Sequence, residues 1–297
     1  MVYEITDENE IKLLHFSNLP FDENDINSCE GTDSFRPVEV LLSGLNRPGE
    51  RHGTKYTYTA PGYRLKYKDM KDYRNETGRK LEILMEDKPT GLEVCSNIQF
   101  YDGISVIRSW TELKNNGEED LGVEYVSSFA LLGIDKEGLL STDEKLEVLI
   151  ARNAWQKELI WNRFSMDQLG MSISQPDKVR RSSQTISVGN TGNWSTKNYL
   201  PMGCLKNKET DSILFWQIEQ NGSWYWEISD QDGHMYLQLS GPTEHQSHWW
   251  KNLKPGDTFA SVPVSVGSAC GDVEEAAGEL TKYRRAIRRK NEDNEKL

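Results

Sequence analysis

SILFWQIEQNGSWYWEISD, residues 212–230, packs three tryptophans, a phenylalanine and a tyrosine into nineteen positions. Whether those rings line a ligand platform or the inside of a sandwich decides how the chain reads. Asn221-Gly222 is the preferred pair for a two-residue type I′ turn. It predicts a hairpin with Gln220 opposite Ser223, Glu219 opposite Trp224, Gln217 opposite Trp226 and Phe215 opposite Ile228. Directly opposed residues share a face. One face then holds Ile213, Phe215, Trp224, Trp226 and Ile228, and the other Leu214, Trp216, Ile218 and Tyr225. Both are apolar over part of their length, whereas a sheet with one wet side alternates more cleanly. The ribbon is therefore expected to be covered on both sides, by an opposing sheet and by something else. Most of the rings then belong to a core. The competing expectation is that Trp224 or Trp226, near the tip, stacks on a sugar while Glu219 or Gln217 binds its hydroxyls.

Strand signals extend outward from this ribbon in both directions. KLEILME (80–86) sets Leu81, Ile83 and Met85 against Lys80, Glu82 and Glu86, and KLEVLI (145–150) sets Leu146, Val148 and Ile150 against Lys145 and Glu147. GLEVCSNIQF (91–100), ISVIRSWTELK (104–114) and LGVEYVSSFALLG (121–133) follow the same style, with turn residues at 101–103, 115–117 and 221–222 between them. Short strands punctuated this often predict an all-β sandwich or barrel rather than βαβ units. Neither GxGxxG nor GxxxxGK[ST] stands where a nucleotide loop would sit. One segment reads as helix. In DVEEAAGELTKYRRAIRR (272–289), Val273, Ala276, Ala277, Leu280, Tyr283 and Ile287 recur at spacings of three and four. Asp272 with Glu275 makes a capping box, and four arginines close the helix.

The 297 residues carry a net charge of −12 with mixed signs along most of the chain. Nucleic acid and anionic membranes need a basic face, so neither is expected as a partner. The first residues lack the pattern of a secretory leader. No apolar run reaches the roughly 18–20 residues of a membrane span. Cys29, Cys95, Cys204 and Cys270 are widely spaced. Reduced thiols and a cytoplasmic setting are the expectation. EHQSHWW (244–250) offers Glu244, His245 and His248, but Gly241-Pro242-Thr243 before it suggests a loop entering a strand, where positions i and i+3 diverge. No metal and no cofactor are expected.

Several stretches together resemble one family: FRPVEV (35–40), residues 91–132, FWQIEQNGSWYWEIS (215–229) and residues 239–285. They are similar, in order, to the N-terminal domain of glycoside hydrolase family 36, the bacterial α-galactosidases (melibiases). The resemblance implies a β-supersandwich related to the galactose-mutarotase fold over residues 1–271 and a linking helix over 272–297. In the family a (β/α)8 barrel follows and hydrolyses terminal α-galactosides with retention, through a nucleophilic Asp in a K-x-D stretch and a second carboxylic acid. Nothing here matches that nucleophile in its barrel context. The resemblance thus implies a non-catalytic fragment or domain, inactive alone. Its partners would be its own barrel, further copies of itself and a galactoside. The family's G-D-F-R stretch can lend an aspartate to a neighbouring subunit's sugar. Here the run is Gly31-Thr32-Asp33-Ser34-Phe35-Arg36, with Ser34 in the aspartate's place and Asp33 one residue early. Asp33 and Arg36 are the residues the resemblance assigns to sugar contact. The alternative is a stand-alone mutarotase-like enzyme or carbohydrate-binding domain, which would need a His base and a carboxylate.

Overall fold

The computed structural model describes residues 1–22, 35–45, 55–171, 184–289 and 291. Period-two alternation shapes most of it. Leu81, Ile83 and Met85 are buried while Glu82, Leu84 and Glu86 point the other way and are half-buried, as in a strand with one face in the core.

Eighteen strands form among the described residues. The first nine are β1 (Val2–Ile5), β2 (Ile11–His15), β3 (Val40–Leu42), β4 (Lys66–Asn75), β5 (Gly78–Asp87), β6 (Leu92–Phe100), β7 (Val106–Asn115), β8 (Leu121–Leu132) and β9 (Leu146–Ala154). The rest are β10 (Lys157–Ser165), β11 (Thr185–Asn190), β12 (Tyr199–Asn207), β13 (Ser212–Ile218), β14 (Trp224–Gln231), β15 (His234–Ser240), β16 (Lys251–Leu253), β17 (Thr258–Ala260) and β18 (Val264–Cys270). Three short helices, α1 (Ala60–Arg64), α2 (Thr142–Lys145) and α3 (Glu244–Ser247), precede the long α4 (Val273–Ile287).

A ten-stranded sheet runs β10-β9-β12-β13-β18-β7-β6-β5-β4, with β17 also on β7. A six-stranded sheet runs β11-β14-β15-β8-β16, with β3 also on β8, and β1 and β2 pair by themselves. The pairings are antiparallel throughout. The inner faces of the two sheets meet in one core, which takes Ile83, Val148 and Trp216 from the larger and Phe129, Trp226 and Leu237 from the smaller. This is the all-β supersandwich with a C-terminal helix.

The Asn221-Gly222 hairpin does not form. β13 pairs with β12 and β18 in the larger sheet, and β14 pairs with β11 and β15 in the smaller. Phe215 lies opposite Cys204 and Gly267, and Ile228 opposite Ile186 and Leu237. A type I′ turn needs positive φ at both central residues, and neither Asn221 nor Gly222 has it. The link 219–223 instead carries the chain from one sheet across to the other. The predicted faces are not kept either: Ile213 and Phe215 turn away from the sandwich core, and Trp216, expected on the opposite face from Trp226, meets it edge to face across the sandwich with centroids 5.1 Å apart. Each such buried ring stabilises by several kcal/mol, at ~25 cal/mol per Å² over roughly 150–250 Å².

The expectation of cover on both sides holds. The outward face of β13, Ile213 and Phe215, lies under α4, which buries Ala276, Leu280 and Tyr283 on it. The Asp272/Glu275 capping box is present. Ser105 N donates to Glu279 at 2.8 Å, and the Tyr283 hydroxyl donates to Glu219. Leu280 and Tyr283 are 4% and 1% exposed, covered by the chain's own sheet. Ala277 turns outward, and Ile287 is exposed.

Candidate functional site

The outer face of the smaller sheet carries a sealed polar network. Trp224, Trp226 and Ile228 of β14 point into the core, so Tyr225 and Glu227 point away from it, yet they too are buried. Residues 55–65 lie over them. Tyr56 stacks on Tyr125 at 4.0 Å and meets Tyr225 edge-on at 5.6 Å. Glu227 accepts from Tyr56 N and from the Tyr236 and Tyr225 hydroxyls at 2.9, 2.9 and 2.8 Å.

Three more carboxylates hold the same segment. Lys55 donates to Asp230 at 2.8 Å, Arg64 makes a two-pronged pair with Asp87 at 2.8 and 2.7 Å, and Glu39 accepts from Tyr58 N at 2.7 Å and Thr59 N at 2.9 Å. Burial raises the Glu227 carboxyl above its ordinary value and pushes Glu39 up to about 7, against the hydrogen bonds that favour the ionised forms. Neither group reaches solvent. They act as anchors rather than as an acid or base facing a substrate. In sequence each is one glutamate in a mixed-charge chain. The signal that was there for Glu227 is a polar residue in a strand apolar on both faces.

Arg36 sits at the margin of this network, 5% exposed. Its Nη2 lies 3.0 Å from Glu10 and its guanidinium 5.5 Å from the Tyr63 ring centre, while Nε and Nη1 have no hydrogen-bond partner. Asp33 lies outside the described residues. Trp224 and Trp226 are 1% and 0% exposed. With no open face, they are core rings and not a platform for sugar. Residues 244–247 of EHQSHWW form a helical turn capped by the Thr243 side chain rather than a loop, leaving His245 and His248 exposed. Among the described residues no cluster of three or more His, Cys, Asp or Glu is placed to hold a metal ion. None of their helices is long and apolar enough to cross a membrane.

Two surface features remain. A cleft of about 410 Å³ opens beside β2 and the segment 131–139. His15 and Glu137 border it, with Nδ1 3.9 Å from the carboxylate, while His15 Nε2 is bound to the Leu19 carbonyl at 3.0 Å. At the β9–β10 turn and the loop before β12, Trp155 and Trp194 are 80% and 54% exposed, near the exposed Leu159 and Ile160. Asn153 ties the two segments together, donating to Thr196 O at 2.6 Å and accepting from Leu159 N at 3.2 Å. Gln156 and Leu159 both take positive φ there.

No protein-family model matches the chain, and no curated protein does. Solved structures do. The α-galactosidase AgaA of Geobacillus stearothermophilus, in complex with raffinose, superposes with a TM-score of 0.70 over 93% of this chain at 15% identity. The fold is shared with glycoside hydrolase family 36. AgaB of the same organism gives 0.66 over 91% at 14% identity. The Lactobacillus brevis α-galactosidase gives 0.67 over 96% at 12% identity. The chain spans about 40% of the length of these enzymes, consistent with their N-terminal domain.

Proposed function

We propose that this chain is the N-terminal, non-catalytic β-domain of a retaining α-galactosidase acting on galactosides of the melibiose and raffinose type, in the cytoplasm. The observation that carries the reading is the superposition of nearly the whole chain on less than half of each family 36 enzyme. The role is to hold a catalytic barrel. The sealed carboxylate anchors and the helix docked on the larger sheet make a rigid scaffold. The exposed Trp155, Trp194, Leu159 and Ile160 offer apolar surface of the kind an adjoining domain covers. Asp33 and Arg36 belong to the same proposal as sugar contacts. The test is hydrolysis of a chromogenic α-galactoside by the purified chain. No release above buffer is expected, and turnover by the chain alone would overturn the non-catalytic assignment.

The His15–Glu137 pair at the cleft favours a second reading, a mutarotase-like or sugar-binding domain acting on free sugar. His15 is held by the Leu19 carbonyl through one nitrogen, which leaves Nδ1 to serve as base. Polarimetry of fresh α-galactose separates the two. Equilibration at the spontaneous rate supports the scaffold, and acceleration lost in a His15→Ala variant supports the second reading.

A further inference from the structure

Asn221-Gly222 closes no hairpin, and the link that holds it faces solvent. An asparagine followed by glycine carries its own nucleophile. The next residue's backbone nitrogen can reach the side-chain carbonyl carbon and close a five-membered ring. Glycine leaves that approach free, having no Cβ and the widest choice of φ and ψ. The pair occurs twice in the chain, at 116–117 and at 221–222, and the fold treats the two differently.

At the first, the attacking nitrogen is occupied. Gly117 N donates to Asn115 Oδ1 at 2.9 Å, and Asn116 N donates to Gly91 O at 3.0 Å. Asn115 is itself buried, with Nδ2 donating to the carbonyls of Glu119 and Leu253, both at 2.8 Å. Gly117 is wedged so tightly that a Cβ there would stand 2.5 Å from the Thr90 carbonyl oxygen. At the second pair these restraints are missing. Asn221 is exposed, and among the described residues neither its side chain nor Gly222 N has a hydrogen-bond partner. A Cβ on Gly222 would meet nothing nearer than Gly192 O at 3.6 Å. The ends of the link are held, Glu219 N donating to Pro263 O at 3.0 Å and Gly192 N to Ser223 Oγ at 2.9 Å.

We propose that Asn221 is a site of spontaneous deamidation, selected over Asn116 by the fold. Hydroxide takes the proton of Gly222 N, the nitrogen bonds to Asn221 Cγ, and the Cγ–Nδ2 bond breaks. Ammonia leaves with a proton from water, which restores the hydroxide. A second water then opens the cyclic imide. Cleavage of the new N–Cγ bond gives aspartate, and cleavage of the original peptide C–N bond gives isoaspartate, with Cβ in the main chain. Net, one water enters and one ammonia leaves, with no oxidation or reduction. Either product puts a carboxylate on the wall of the cleft, about 400 Å³, that Asn221 shares with Gln217, Glu219, Tyr283 and Arg284. Isoaspartate also lengthens a link whose two ends are fixed. The result is a slow, one-way change from neutral to negative on the face where α4 lies, independent of the galactosidase reading.

The test is peptide mapping by mass spectrometry on the purified chain kept warm in mildly alkaline buffer, with isoaspartate scored by its methylation with an isoaspartyl methyltransferase. Asn221 is expected to convert about fivefold faster than Asn116 or more, the factor that one hydrogen bond on the attacking nitrogen is worth, and to give both isomers. In urea, where the fold's restraints are gone, the two rates should converge. Asn221→Gln, which would have to close a six-membered ring, should keep its amide under the same conditions. Equal rates in the folded chain, faster conversion at Asn116, or the same ratio in urea as in buffer would each overturn the proposal. So would aspartate formed at 221 without isoaspartate, since direct hydrolysis needs no ring.

Discussion

Glu39 takes hydrogen bonds from Tyr58 N, Thr59 N and the Thr59 hydroxyl in a place that water does not reach. With burial raising its carboxyl from 4.5 to about 7, the folded protein holds this proton over a range where the unfolded chain has lost it. The stabilisation is therefore complete below about pH 4.5 and is lost as pH rises through about 7, about 3 kcal/mol in all. Urea unfolding at about pH 5 and about pH 8 should show a fall in stability that Glu39→Gln reduces, the raised Glu227 carboxyl contributing to the remainder; an equal fall in both proteins would contradict the account. Gly203 and Gly267 lie opposite Trp216 and Phe215 across the strands, and a Cβ on Gly203 would stand 2.5 Å from the Trp216 ring. Gly203→Ala is expected to cost about 1–3 kcal/mol by overpacking, measured as the shift in denaturation midpoint. The core role of Trp216 and Trp226 was legible in the sequence, because both flanks of 212–230 are apolar. The role of Glu39 was not. One glutamate among forty-seven acidic residues carries no mark until the fold brings a segment twenty positions away against it.

At the scale of elements, the strands between 80 and 132 follow their alternating residues, with ends near those expected. The pairing of β13 and β14 shows the limit of that reading. Asn-Gly is a local turn signal, but β13 and β14 each make their hairpin with the neighbour on the other side, β12 across 208–211 and β15 across Asp232-Gly233, and their second partners, β18 and β11, are distant in sequence. The helix was legible through its stripe and capping box, but its cover was not, since Ile213 and Phe215 lie some sixty positions upstream. Because Leu280 is packed on that face, Leu280→Ala is expected to cost about 2–5 kcal/mol, and Asp272→Ala about 1 kcal/mol through loss of the cap. Thermal unfolding reads both. A negligible effect of Leu280→Ala would mean that α4 does not dock on the sheet in solution.

For the whole molecule, fold class was legible from strand style and turn spacing, while the resemblance of a few ordered stretches pointed to a family whose matched solved members are only 12–16% identical here. Surfaces were far less legible, because exposure of Trp155, Trp194 or Leu139 depends on where strands end rather than on what the residues are. Replacing Trp155 and Trp194 by Ser should change the unfolding free energy of this chain by no more than about 0.5 kcal/mol and lower its binding of a hydrophobic dye. A large loss of stability would mean those rings are packed rather than offered to a neighbour. The scaffold reading places the chemistry in a barrel joined to α4. Sequencing the encoding gene past the codon for Leu297 tests this most directly. The account predicts an open frame running on into a (β/α)8 barrel with a K-x-D nucleophile, and a stop codon at that point would contradict it.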